Sequence, residues 1–175
     1  MENYFEQLVL NRQSCRNFND QPLEQEKVER IANLARLSPS ACNSQPWKMI
    51  LVTDSEKVLK TADALGVNGH NKFLNKAKAF IVPIEKQATL KEGVRFDRNH
   101  FVKYDIGELI AYITLGAQSM GVKSCIIGMV DQAKLRSALS LKDDEFANVV
   151  VALGYSDIPT REKTRKPVCE IIQKA

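Results

Sequence analysis

The chain has 175 residues, 44% hydrophobic and 26% charged, with 8 Gly, 6 Pro and 4 Cys. This suits a single domain over 1–175 with its own core and excludes disordered, collagen-like and disulfide-framework classes. Its 25 basic and 21 acidic residues leave a formal net charge of +4, too mild to call for nucleic acid and compatible with a small anionic ligand.

The longest apolar runs, 79–84 and 149–153, fall far short of the ~20 residues of a membrane-spanning helix. The start, Met1 to Glu6, is acidic and lacks the basic-then-apolar order of a secretory signal. Cys15, Cys42, Cys125 and Cys169 form no CxxC pair. Free thiols in a cytoplasmic protein with no metal site are therefore expected.

Tyr4 to Asn11 reads as a short amphipathic helix, with Phe5, Leu8 and Val9 on one face. Arg12 to Asp20 is polar and aperiodic, a loop. A second helix begins near Pro22, carries the stripe Val28, Ile31, Ala32 and Ala35, and ends at Ser38-Pro39. Ser38 to Pro46 is a polar loop. Trp47 to Thr53 is a buried strand, after which Asp54 or Ser55 caps a helix.

Val67-Asn68-Gly69 is turn-like. Ala79 to Ile84 is a second strand, in which Pro83 implies a strand end or bulge. Arg98 to Met120 is the longest helical stretch, stopped by Gly121. Its Gly107 and Gly116 make sense where another backbone passes close, at a helix cost of about 1 kcal/mol each against alanine. Val122 to Ile127 is a third strand. Asp131 caps a helix over 132–139, Asn148 to Tyr155 is a fourth strand, and Val168 to Ile172 is a candidate fifth. Helices and strands mixed along one chain imply a layered domain.

Much chemistry is missing. His70 and His100 lie in no HExxH, and there is no GxSxG elbow, no GxxxxGK[ST] loop and no GxGxxG. Asp143-Asp144 reads as a helix-capping pair. Cys125 reads as a buried, inert thiol, and Cys42 lies in a polar loop.

Three segments remain. In Arg12-Gln13-Ser14-Cys15-Arg16, alternate side chains of an extended chain share a face, offering two guanidinium forks and a hydroxyl to an anion; alone, it also fits a solvated loop. Ser38-Pro39-Ser40-Ala41-Cys42-Asn43-Ser44-Gln45-Pro46-Trp47 sets carboxamides, which donate and accept, just before a strand. Lys163-Thr164-Arg165-Lys166-Pro167 alone fits a solvated tail.

In this order and spacing, with Asp105–Gly107, Gly121–Gly128 and Gly154-Tyr155 between them, these segments resemble the FMN-dependent nitroreductase family over nearly the whole chain. The resemblance implies an α+β, three-layer α/β/α fold with a mixed, mostly antiparallel sheet. It also implies a homodimer with FMN at the interface, NAD(P)H as hydride donor to flavin N5, and small acceptors such as nitroaromatics or quinones. The same scaffold also hosts dehalogenation, flavin fragmentation, oxidase activity or flavin binding without turnover.

By that resemblance Arg12, Gln13, Ser14 and Arg165 hold the phosphate and ribityl chain, with Lys163 beside them. Arg16 lies near flavin N1 and the C2 carbonyl. Pro39, Ser40 and Asn43 come from the other subunit, and Gln45 lies along the ring edge. Ile127, Gly128 and Met129 approach N5 and O4, and Asn71 or Lys72 supplies a second pyrimidine contact. No side chain is implied as catalytic, since the chemistry belongs to the flavin.

Overall fold

Four apolar segments form strands: β1 (Trp47–Val52), β2 (Ala79–Glu85), β3 (Lys123–Ile127) and β4 (Val150–Gly154). The computed structural model describes residues 3–88 and 100–175. The strands pair antiparallel in the order β1-β2-β4-β3. The parallel element is an isolated bridge between Ser14 and Ser124 on β3.

The central strands β2 and β4 are covered on both faces and read as continuous apolar runs rather than alternating ones, whereas the edge strands β1 and β3 are partly exposed. Phe80, Val82, Ile84, Val150 and Ala152 join one core cluster, with Val58, Ala62 and Leu65 of α3 (Ser55–Leu65) and Leu135 of α5 (Gln132–Leu139). Ala79, Ile81, Val151 and Leu153 join the other. There they meet Val28, Ile31 and Ala35 of α2 (Gln25–Ala35) and Ile106, Leu109 and Ile113 of α4 (Val102–Ser119). The result is the expected helix–sheet–helix layering. No described helix is long and apolar enough to cross a membrane.

Local chemistry explains most boundaries. In α1 (Tyr4–Asn11), Asn3 caps through Phe5 N–H and its own N–H donates to Glu6, a reciprocal pair. Asp54 and Asp131 cap α3 and α5. Gly121, at φ +72°, ends α4. The helix expected from Arg98 is seen from Val102, and Arg98 itself lies outside the described residues.

Four expectations change. The second helix starts at Gln25, three residues past Pro22. Pro83 lies inside β2, opposite Met49; β4 pairs only with Ala79–Ile81, so no ladder N–H is missed on that side. The segment expected as a fifth strand is a short exposed helix, α6 (Val168–Ile171). Among the described residues no strand runs beside it, and Ile172 N–H bonds locally to Val168 C=O instead. Asp143 pairs with Arg136 at 2.9 Å rather than capping a helix.

The glycines divide by environment. Gly116 faces Leu34 and Ile31 of α2, whereas nothing described lies within 4 Å of a Cβ placed on Gly107. At Gly154 a Cβ would sit 2.8 Å from the Phe18 ring, so glycine there lets a buried aromatic lie flat against β4.

Near the opposite end of the sheet, the buried Glu145 carboxylate accepts from Lys48 at 3.0 Å and Lys86 at 2.9 Å. Those bonds, Lys86 first, hold its pKa down from 4.5 to about 2. Because the folded value is the lower one, this stabilisation is complete above the unfolded value of 4.5 and is lost as pH falls toward about 2. Urea unfolding of the wild type and Glu145→Gln should show a gap in midpoint that is widest near neutrality and narrows across that acid range.

Candidate functional site

The polar segment after α1 is held against the edge of the sheet. Cys15 N–H donates to Ser124 C=O at 2.9 Å, and Asn19 N–H donates to Tyr155 C=O at 2.8 Å. Between them Phe18 fills the space above Gly154. These anchors leave Arg12, Ser14 and Arg16 along one side of a cleft.

The segment after β4 forms the other side. Gln13 braces the two: its amide donates to Pro159 C=O at 3.1 Å, and its oxygen accepts from Arg161 N–H at 3.1 Å. Arg161 also reaches Ser14 C=O at 3.5 Å. The cleft has two lobes. One, of about 330 Å³, is lined by Arg12, Gln13, Ser14, Arg16, Arg161, Glu162, Lys163, Thr164 and Arg165. The other, of about 240 Å³, adds Cys15, Asn17, Lys123, Ser156 and Ile158.

The cleft carries an excess of positive charge, with Glu162 the acidic residue among its lining. Among the described residues Arg12, Arg16, Lys123 and Arg165 make no ion pair. Arg165 donates only to its neighbour Thr164 C=O at 2.7 Å. Lys163 turns its ammonium onto the Val9 and Leu10 carbonyls at the end of α1, where the helix dipole favours a cation. Burial, then the Arg12 and Arg165 cations, pushes Lys163 below the usual lysine range. Beneath the cleft, burial pushes the Cys125 thiol up, with Arg16 opposing; it is the buried thiol expected. Cys42 is exposed.

A second group gathers at the end of α3. Its last carbonyls, Ala64 and Leu65, accept from Asp131 N–H at 2.9 Å and from the Asn71 amide at 3.0 Å. The 71–72 turn therefore lies beside the 127–131 segment. Asn71 sits at φ +59° with its side chain committed to this bond, while Lys72 is exposed. Ile127 is buried in the core, and Gly128 and Met129 are exposed. Phe73 meets Phe18 with ring centroids 6.3 Å apart, and Lys76 pairs with Asp20 at 3.3 Å. Those contacts join this group to the basic segment.

The third group stands apart. Pro39, Ser40, Asn43 and Gln45 precede β1, whose first residue Trp47 pairs with Glu85 at the far end of β2. The basic cleft lies at the Lys123–Gly154 end of β3 and β4, with β2 and β4 intervening. One chain thus holds the loop and the cleft at diagonal corners of the sheet.

The profile of the nitroreductase family matches residues 9–155. The chain belongs to the nitroreductase family. It is 29% identical to the oxygen-insensitive NADPH nitroreductase of Helicobacter pylori, across 95% of this chain and 94% of that protein. A nitroreductase family protein from Streptococcus pneumoniae TIGR4 has the same fold, with a TM-score of 0.82 over 98% of this chain and 100% of that one at 22% identity. So does the NADPH:FMN oxidoreductase from Vibrio harveyi complexed with NAD+, at a TM-score of 0.81 over 98% and 77% of the two chains and 24% identity.

As a nitroreductase family member the protein is an oxidoreductase, and its cleft has parts that sequence reasoning did not single out. Arg161 belongs to the basic run noted in the sequence, but nothing there marks it as a wall of the cleft. Lys123, Asn17 and Ser156 carry no motif at all; they meet only through the bridge of Ser14 to β3. Asp105 reaches the Ser38–Pro46 loop from α4, accepting from Ala41 N–H at 3.1 Å. In the sequence it heads Asp105–Gly107, a piece of the family resemblance that carries no site role for it.

An anion seated between Arg12 and Arg165 offsets their repulsion on Lys163 and raises its pKa. Binding of inorganic phosphate at alkaline pH should therefore take up protons. Calorimetry in buffers of different ionisation enthalpy should show this uptake in the wild type and lose it in Lys163→Met.

Proposed function

We propose that this protein is a dimeric, FMN-dependent oxidoreductase that passes hydride from NAD(P)H to a small acceptor such as a nitroaromatic or a quinone. The observation that carries the proposal is the braced cleft in which Arg12, Arg16 and Arg165 face one another without carboxylate partners. The NADPH nitroreductase of Helicobacter pylori, similar over nearly its full length, supports the choice of donor.

The donor set fits a phosphorylated flavin. The Arg12 and Arg165 forks suit a phosphate, which they can bind through paired, charge-assisted bonds. Ser14 and the Gln13 backbone suit the ribityl hydroxyls. Arg16 offers a cation to the pyrimidine edge, where reduction leaves negative charge. Lys72, Gly128 and Met129 border the same region, and Asn71 holds the turn that carries Lys72. Lys163 keeps the basic segment docked on α1 and adds positive potential. Bound FMN would supply the redox chemistry, and the chain's own residues would hold and orient it.

Dimerisation follows from the geometry on this reading. Pro39, Ser40, Asn43 and Gln45 stand too far across the sheet to complete the cleft of their own chain, so the loop serves the cleft of a second copy. The exposed apolar groove formed by Phe5 and Leu8, Leu34 and Leu37, and Tyr112 and Leu115 supplies surface for that association.

Two experiments test the proposal. Arg12→Ala and Arg165→Ala should each weaken FMN binding by about 1.5–3 kcal/mol, the worth of a bond to a charged group, in fluorescence titration; wild-type affinity in both would place the phosphate elsewhere. Sedimentation should find FMN only on a dimer, and added FMN should shift the monomer–dimer balance toward the dimer. A flavin-loaded monomer would refute the shared site.

A further inference from the structure

We propose that Asp105 is a positioning residue: from the first turn of α4 its carboxylate holds the Ser40–Gln45 loop in the conformation that presents Ser40 and Asn43 to the flavin. This rests on the proposed dimeric site, in which that loop serves the second copy.

The loop has an unusual backbone. Cys42, Asn43 and Gln45 have φ of +53°, +55° and +46°. Residues with side chains avoid this left-handed region, asparagine least. Such a conformation persists only where its surroundings hold it, and it concentrates at ligand sites. The loop's own bonds hold it in part. Ser40 Oγ accepts from Gln45 N–H at 2.9 Å, Ser40 C=O accepts from Asn43 N–H at 2.9 Å, and the Gln45 amide donates to Asn43 Oδ1 at 3.2 Å. These bonds shape the loop but do not fix it to the body of the protein. Where the loop runs into β1, Trp47 N–H donates to Gln45 C=O at 2.7 Å; from an element distant in sequence, the hydrogen bond reaching 40–45 among the described residues is that of Asp105 Oδ1 with Ala41 N–H.

Asp105 itself is an odd tenant. It is 5% exposed beside Ile106 and Leu109, and its second oxygen, Oδ2, is buried with no partner among the described residues. Ser44 Oγ, in the loop, is likewise buried and unpartnered. A buried carboxylate with half its capacity unused adds little to folding, since an apolar side chain of similar size avoids the unpaired charge. What leucine cannot do is accept from Ala41. The spare acceptor and the spare hydroxyl are of matching kind.

The test separates stability from positioning. Asp105→Leu and Asp105→Ala remove the acceptor, and Asp105→Asn keeps a side-chain oxygen for Ala41. Asp105→Leu should unfold in urea no earlier than wild type and remain dimeric. Its Ala41 amide should nonetheless exchange faster, and its FMN affinity should fall at least about tenfold, as should that of Asp105→Ala. Asp105→Asn should bind FMN within roughly threefold of wild type.

Wild-type affinity in Asp105→Leu, alongside losses in Ser40→Ala and Asn43→Ala, would overturn the positioning role while sparing the dimeric site. Wild-type affinity in all of these variants would overturn the loop's part in flavin binding and the proposal with it. Loss of affinity and stability together in every Asp105 variant, Asp105→Asn included, would make Asp105 a structural residue and nothing more.

Discussion

A polar segment with little apolar content, residues 12–17, acquires a fixed course because it borrows the edge of the sheet. β3 is an edge strand, and its outer hydrogen-bonding groups need partners. The Ser14–Ser124 bridge and the Cys15 N–H bond supply them. Phe18 then locks the segment by packing on Gly154, where any side chain would block it. Every feature of the basic cleft depends on this attachment. Without it, Arg12, Ser14 and Arg16 are three residues of a solvated loop.

The attachment brings like charges together, and that repulsion has to be held in check. Gln13 supplies neutral cross-links to Pro159 and Arg161, drawing the segments close without cancelling the field between them. A carboxylate brace would have neutralised the cleft. Lys163, pushed below the usual lysine range, is committed to the α1 carbonyls, so among the described residues the Arg12 and Arg16 guanidinium groups remain the free donors. An anion entering such a cleft meets preset charge and loses little to reorganisation. On the proposed reading that anion is the cofactor phosphate, and the ring extends toward the α3 end, where Asn71 and Asp131 cap the helix with their own bonds.

Sheet order then sets the assembly logic. β1 and β3 are opposite edges, so features attached to each are separated by the width of β2 and β4, and by their length as well. On the proposed reading, a loop at β1 and a cleft at β3 serve one ligand through a second chain. The strained loop and its anchor on α4 fit such a role, since a group offered to another molecule has to be held before that molecule arrives.

The sequence by itself determined the secondary structure and its layering closely, because these follow from local periodicity and capping. The stripe on α2, the caps at Asp54 and Asp131, the apolar runs of the strands and the stop at Gly121 each act over a few residues. It also carried the chemistry of the separate segments and, through their joint resemblance, the family. It misjudged Val168–Ile172, since a pentad with four apolar residues and Glu170 says strand only if a strand lies alongside, and Pro83, since tolerance depends on how far β4 extends. The tertiary structure alone decided which segments meet. Residues 12–16 and 161–165 join across 145 positions through Gln13, which the resemblance places on the cofactor rather than between the two segments, and the loop of Pro39, Ser40 and Asn43, which the resemblance assigns to the other subunit, stands apart within the chain. Local forces reveal what each segment is. Convergence depends on strand order and long-range hydrogen bonds, which no local pattern encodes.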